Sequence, residues 1–186
     1  MSKYASPQDS TFHAFLKQAK IPANSKRANV LKAQMLAGGM PFIKTSDDKN
    51  LRASFSDARS YEIEPSKFRK GLFGKLHPTE WSHVRGSTPD TLHIKEGDIN
   101  DMLAELTHAI QFNKPQAARD SLNWENTRQY KELGDLHRYY TPKTVEFQAH
   151  REIEPGLRKE YNKANRKDWF DKARGFSFLD YVRSFF

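Results

Sequence analysis

Residues 89–112, PDTLHIKEGDINDMLAELTHAIQF, constrain the fold more than any other stretch of this chain. Leu92 and Ile94 alternate with Thr91, His93 and Lys95, the period-two pattern of a half-buried strand. Gly97 and Asp98 break that alternation, and Asp98 is suited to cap a helix opening at Ile99, with Asp101 in its first turn. Beyond the cap, Ile99, Met102, Leu103, Leu106, Ala109 and Ile110 recur at helical spacing. At about 100° per residue they form one apolar stripe. The same arithmetic puts His108 roughly opposite Ile99, flanked by Ala104 and Glu105. The helix therefore has an apolar back for a core and a front that carries a carboxylate and an imidazole three residues apart.

A second segment carries a similar pair. In residues 141–155, TPKTVEFQAHREIEP, the apolar residues Val145, Ala149 and Ile153 repeat every four positions. That spacing predicts a helix with Glu146 and His150 together on one face.

AELTHAIQ resembles the active-site helix of the zincin metallopeptidases, whose HExxH motif is often extended as HELxHAxQ. In that family both histidines bind zinc and the glutamate acts as general base toward water, because positions i and i+4 share a helical face. Glu105 and His108 match the motif's glutamate and second histidine, whereas Ala104 stands where the first histidine belongs. The strand TLHI just upstream is similar to the edge strand that holds the peptide in zincins. EFQAH is similar to the downstream helix from which many zincins take a glutamate ligand, with Glu146 in that role. The resemblance, which spans residues 91–153, implies an α+β fold: a small sheet with an edge strand over an active-site helix and a second helix. A methyl group cannot coordinate metal, so the resemblance implies either a rearranged zinc site of His108, Glu146 and His150 or a lost one. Glu105 or Glu152 would then orient an imidazole from outside. Glu105 is also the catalytic candidate, and zinc is the cofactor the resemblance implies.

The remaining sequence sets the surroundings. The apolar fraction is 37% and the charged fraction 29%, which predicts a compact core under a heavily solvated surface. Lys and Arg outnumber Asp and Glu by 31 to 23, a net charge of +8 that favours anionic partners without choosing among nucleic acid, membrane and protein. The absence of cysteine excludes disulfides and thiolate metal sites. With no apolar run resembling a signal peptide or a membrane span, the expected location is the cytoplasm or an intracellularly assembled particle such as a virion.

Asp9 or Ser10 is placed to cap a first helix with Phe12, Phe15 and Leu16 on one face, ending by Ile21-Pro22. A second helix follows the Ser25 cap, groups Val30, Leu31, Met35 and Leu36, and stops at Gly38-Gly39. Lys20, Lys26, Arg27 and Lys32 make this pair basic, and a solvated face explains them more simply than a nucleic-acid surface. Residues 41–69 read as an irregular polar arm. GLFGKLHP at 71–78 lacks the Ser or Thr of a phosphate loop. His77, Trp81 and His83 read as a loop packed by Trp81, or as a strand facing the cleft. Pro115 separates the first long helix from another over residues 124–136, and Tyr139 and Tyr140 follow it. A basic helix spans 158–174, and residues 175–186 are dense in large apolar groups, the mark of a surface that is covered.

The expected division is a helical hairpin with an arm (1–70), a zincin-like domain (71–175) and an aromatic tail (176–186). With Ala104 in place of a ligand, the expected function is a zincin-like protein that has lost catalysis. One alternative is a structural or assembly component of a large particle, engaging a protein partner or its own copies through arm and tail. The other is a basic nucleic-acid-associated protein.

Overall fold

The computed structural model describes residues 6–57, 63–70, 76–83 and 90–174, with side chains in 6–57 and 90–169. The architecture is α+β. Helices α1 (Pro7–Gln18) and α2 (Lys26–Ala37) precede strands β1 (Phe42–Ser46), β2 (Ser54–Ser56), β3 (Ile63–Lys70), β4 (Leu76–His83) and β5 (Thr91–Lys95). Helices α3 (Ile99–Phe112) and α4 (Gln116–Arg138) follow. A last helical stretch comprises α5 (Val145–Phe147), a π-helical segment (Gln148–Ile153) and α6 (Glu154–Arg174).

The strand and helix read from residues 89–112 form as expected. Leu92 and Ile94 are fully buried while their neighbours are half-buried, so the alternation does place one face of β5 in the core. Asp98 caps α3 by accepting hydrogen bonds from the backbone N–H groups of Asn100 and Asp101. Asp101 in turn accepts from the Lys95 N–H (3.1 Å), which ties the end of β5 to the first turn of α3. The turn between them needs Gly97: its φ is +67°, and a Cβ there would lie 2.9 Å from the Gln18 carbonyl oxygen.

TLHI is not an edge strand, however. It is the centre of a three-stranded mixed sheet, paired in parallel with β1 (Phe42↔Thr91 to Ser46↔Lys95) and antiparallel with β2 (Ser54↔His93, Phe55↔Leu92, Ser56↔Thr91). Both partners come from the segment read as an irregular arm. Each is short, and neither KTS in β1 nor SFS in β2 shows enough apolar alternation to announce a strand; pairing to β5 defines them. β3 and β4 form a separate antiparallel hairpin with register shifts near Lys67, so residues 76–83 are a strand rather than a loop.

One apolar cluster joins Phe12, Phe15 and Leu16 of α1, Leu31 and Met35 of α2, Leu92 and Ile94 of β5, Met102, Leu103 and Leu106 of α3, and Tyr161 of α6. Buried side chains of this size each contribute roughly 1.5–3 kcal/mol relative to exposure. The first two helices thus share the core of the segment that carries β5 and α3. Leu36, grouped with the apolar face of α2, instead lies 58% exposed. α4 begins eight residues before the expected helix, directly after Pro115. The two C-terminal helices expected as separate are one stretch, interrupted at the π-helical turns. Pro155 has no N–H for the carbonyl four residues earlier, and the widened turns just before it absorb that mismatch. Residues 175–186, and the phosphate-loop look-alike through position 75, lie outside the described residues.

Candidate metal centre

Three elements meet at one cleft. α3 presents Glu105 and His108 on the face away from the core, and the stretch from α5 into the π-helical segment presents Glu146 and His150. Thr144 fixes the start of that stretch by accepting from the Phe147 N–H and donating its hydroxyl to the Thr141 carbonyl (2.9 Å). Gln111, one turn beyond His108, donates to the Val145 carbonyl (3.0 Å) and locks α3 to α5. Two segments about forty residues apart are thereby held in register across the cleft, which has a volume of about 560 Å³.

His108 Nε2 and His150 Nε2 each lie 3.5 Å from the same oxygen, Glu146 Oε2. All three donor atoms fall within 4.8 Å of one another, and this is the one such group among the described residues. A tetrahedral ion with bonds of about 2.0–2.2 Å requires donors roughly 3.3–3.5 Å apart, so two of the three edges already have the length a zinc ion needs. Glu146 Oε2 is buried and has no hydrogen-bond partner. At 3.5 Å both imidazoles are at the outer limit of hydrogen bonding to it, so its contacts are ion-pair contacts whose distance leaves room for an ion between the three groups. The residues therefore fit a divalent ion by donor type and spacing, and in the metal-free protein the protonated His150 imidazole stands in for the cation beside Glu146. His150 Nδ1 contacts Glu154 Oε2 at 2.7 Å, which aims Nε2 at the centre. The orienting carboxylate is thus Glu154 and not Glu152, because position i+4 shares the face of His150 while Glu152 points to solvent.

The charges follow from these contacts. Glu146 and Glu154 push the His150 pKa up to about 9, against the opposing effect of burial. Burial lowers the pKa of His108 despite the nearby Glu146 carboxylate. Burial also works to raise the pKa of Glu146, yet His150, His108 and Arg138 together hold it below the ordinary carboxylate value. Glu105 is 8% exposed, and burial, opposed by the charge of His150, pushes its pKa up to about 7. A carboxyl poised near neutrality beside a candidate metal centre is the state suited to moving protons.

Every residue singled out for the site, Glu105, His108, Glu146 and His150, lines this one cleft. Ala104 lines it too, as a methyl group. Among the described histidines, His13, His93 and His137 lie elsewhere. β2, rather than β5, supplies the sheet edge beside the cleft, through Ser54 and Phe55. Of the two adjacent tyrosines, Tyr139 belongs to the cleft, its ring 5.0 Å from that of His150, while Tyr140 is 63% exposed. Arg138 was not anticipated. It is buried against Glu146, and no periodicity distinguishes it from the many other basic residues.

No family model matches the chain, and neither does any curated protein or solved structure. No described helix is long and apolar enough to cross a membrane.

Proposed function

We propose that the protein is a zincin-like metal-binding protein whose site, His108, Glu146 and His150, retains the composition of a hydrolytic zinc centre. The observation that carries this reading is the convergence of two imidazole nitrogens on one buried carboxylate oxygen that has no hydrogen-bond partner. Ala104 argued for lost catalysis because it removes a histidine from α3. His150 offers a second imidazole from the opposite wall, which supports a rearranged site over a lost one.

Zinc bound by these residues would supply Lewis-acid polarisation and lower the pKa of water. The chain's own groups account for the remaining requirements. Glu105, one turn from His108, takes a proton from water and returns it to a leaving amine, a role matched to its pKa of about 7. Glu154 keeps His150 oriented through Nδ1. Tyr139 lines the cleft beside His150, and its hydroxyl is a candidate donor for developing negative charge. The backbone N–H of Phe55 in β2 donates to the Glu105 carboxylate, so this strand helps to place the general base.

The test is cleavage of a quenched fluorescent peptide library by zinc-loaded protein. Cleavage that Glu105→Gln abolishes, with zinc content unchanged, supports the hydrolytic reading. Full zinc occupancy with no cleavage by the wild type leaves a metal-binding body and refutes hydrolysis.

A further inference from the structure

Arg138 is 7% exposed and lies against a residue that the proposed metal site needs. Its Nη1 donates to Glu146 Oε1 (3.3 Å) and to Asn126 Oδ1 (2.7 Å), its Nη2 donates to Asp135 Oδ1 (2.7 Å), and its guanidinium carbon sits 5.0 Å from the centre of the Tyr130 ring. Gly134, with φ +75° and ψ 173°, breaks the course of α4 just ahead of Asp135 and Arg138. That break lets the end of the helix meet Asn126, twelve residues earlier, and Glu146 at once.

A cation this close to a metal site is unfavourable unless something offsets it. Asp135 does so on one side, and Arg52 caps the outer oxygen of Asp135 (3.1 Å) in turn. What the arginine contributes is a choice between oxygens. Oε1 of Glu146 is held by the guanidinium, while Oε2 faces the two imidazoles with no hydrogen-bond partner of its own. A free carboxylate can chelate a metal through both oxygens or rotate between them; one held at Oε1 presents Oε2 alone.

We propose that Arg138 is the positioning residue of the site, holding Glu146 by one oxygen so that it binds metal through the other in monodentate fashion. The proposal rests on the metal-binding reading above. Monodentate binding leaves a coordination position open toward the cleft and Glu105, whereas a bidentate Glu146 would fill it.

Two probes separate this role from simple packing: zinc affinity by competition with a chromophoric chelator, and the visible absorption of the cobalt(II) form, whose intensity falls as coordination rises above four. In Arg138→Met, zinc affinity is expected to fall about 10–100-fold, as for other outer partners of metal ligands, and the cobalt band to weaken. Asn126→Ala loosens the guanidinium without stranding a buried charge. It is expected to move both readouts in the same direction by less, and it decides the matter if Arg138→Met fails to fold. Folded variants with wild-type zinc affinity and an unchanged cobalt spectrum overturn the positioning role while leaving the metal site standing. A wild-type protein that binds neither ion overturns both.

Discussion

Raising the pH should destabilise the metal-free protein, and His150 is the main reason. Its pKa is raised from 6.5 to about 9 by Glu146 and Glu154. A group whose folded pKa lies above its unfolded value contributes stability that is complete below the unfolded pKa and is lost as pH climbs through the folded one. At about 1.4 kcal/mol per pH unit the window from 6.5 to 9 amounts to about 3.5 kcal/mol, which solvent screening at a partly exposed imidazole cuts to about 3 kcal/mol at most. Glu105, raised from 4.5 to about 7 by burial, acts in the same direction at lower pH, because ionising it costs more in the folded state. Glu146 and Glu154, both held below 4.5, oppose this only in acid, where their protonation removes stability. Below pH 6.5 the lowered pKa of buried His108 removes stability as pH falls and Glu105 works the other way down to about pH 4.5, so the fall above pH 6.5 is the part of the profile that His150 sets. Thermal melts in excess chelator should show a fall in Tm of about 6–12 °C between pH 6.5 and 9, taking 2–4 °C per kcal/mol for a chain of this size. His150→Gln should flatten that window. Saturating zinc should stabilise progressively more over the same range, because the ligand form of His150 is the neutral one. A flat profile in the wild type, or an equal slope in His150→Gln, refutes the assignment.

Other parts of the fold give independent tests. Ile94→Ala removes a fully buried side chain at the centre of the sheet and should cost about 2–5 kcal/mol in urea unfolding, with an unchanged m-value. Arg119 is buried between Asp57 and Asp90, pairing with Asp57 through two nitrogens and with Asp90 at 2.8 Å. Its replacement by Ala leaves Asp57 buried and without that cation, and should cost about 3–5 kcal/mol by the same assay. Gly97→Ala forces a side chain into left-handed backbone against the Gln18 carbonyl and should lower stability by about 1–3 kcal/mol.

What could be read from sequence divides along physical lines. α3 was legible from cap to apolar stripe because its propensity, capping and burial all agree, and the ends of α2 at Ser25 and Gly38 from their capping residues, although Leu36 of its expected apolar face is exposed. Glu146 and His150 were legible as a pair because an i,i+4 spacing declares a shared face wherever a helix forms, and His108 through the resemblance of AELTHAIQ to the zincin helix. The position of β5 within its sheet was not, since strand order depends on partners that local pattern does not reveal. β1 and β2 are held by backbone bonds to β5, and Ser54 and Ser56 carry no apolar signal at all. Glu154 sits at i+4 from His150, a spacing as open in the sequence as that of Glu146 and His150, whereas Arg138 escaped because its place depends on the break at Gly134.

Metal stoichiometry is the plainest readout of the proposed site. Purified protein, stripped with chelator and titrated with zinc, should bind one equivalent per chain, and His108→Ala, Glu146→Gln and His150→Gln should each abolish that binding while the chain remains folded. Failure of the wild type to take up zinc, or undiminished binding in all three variants, would contradict it.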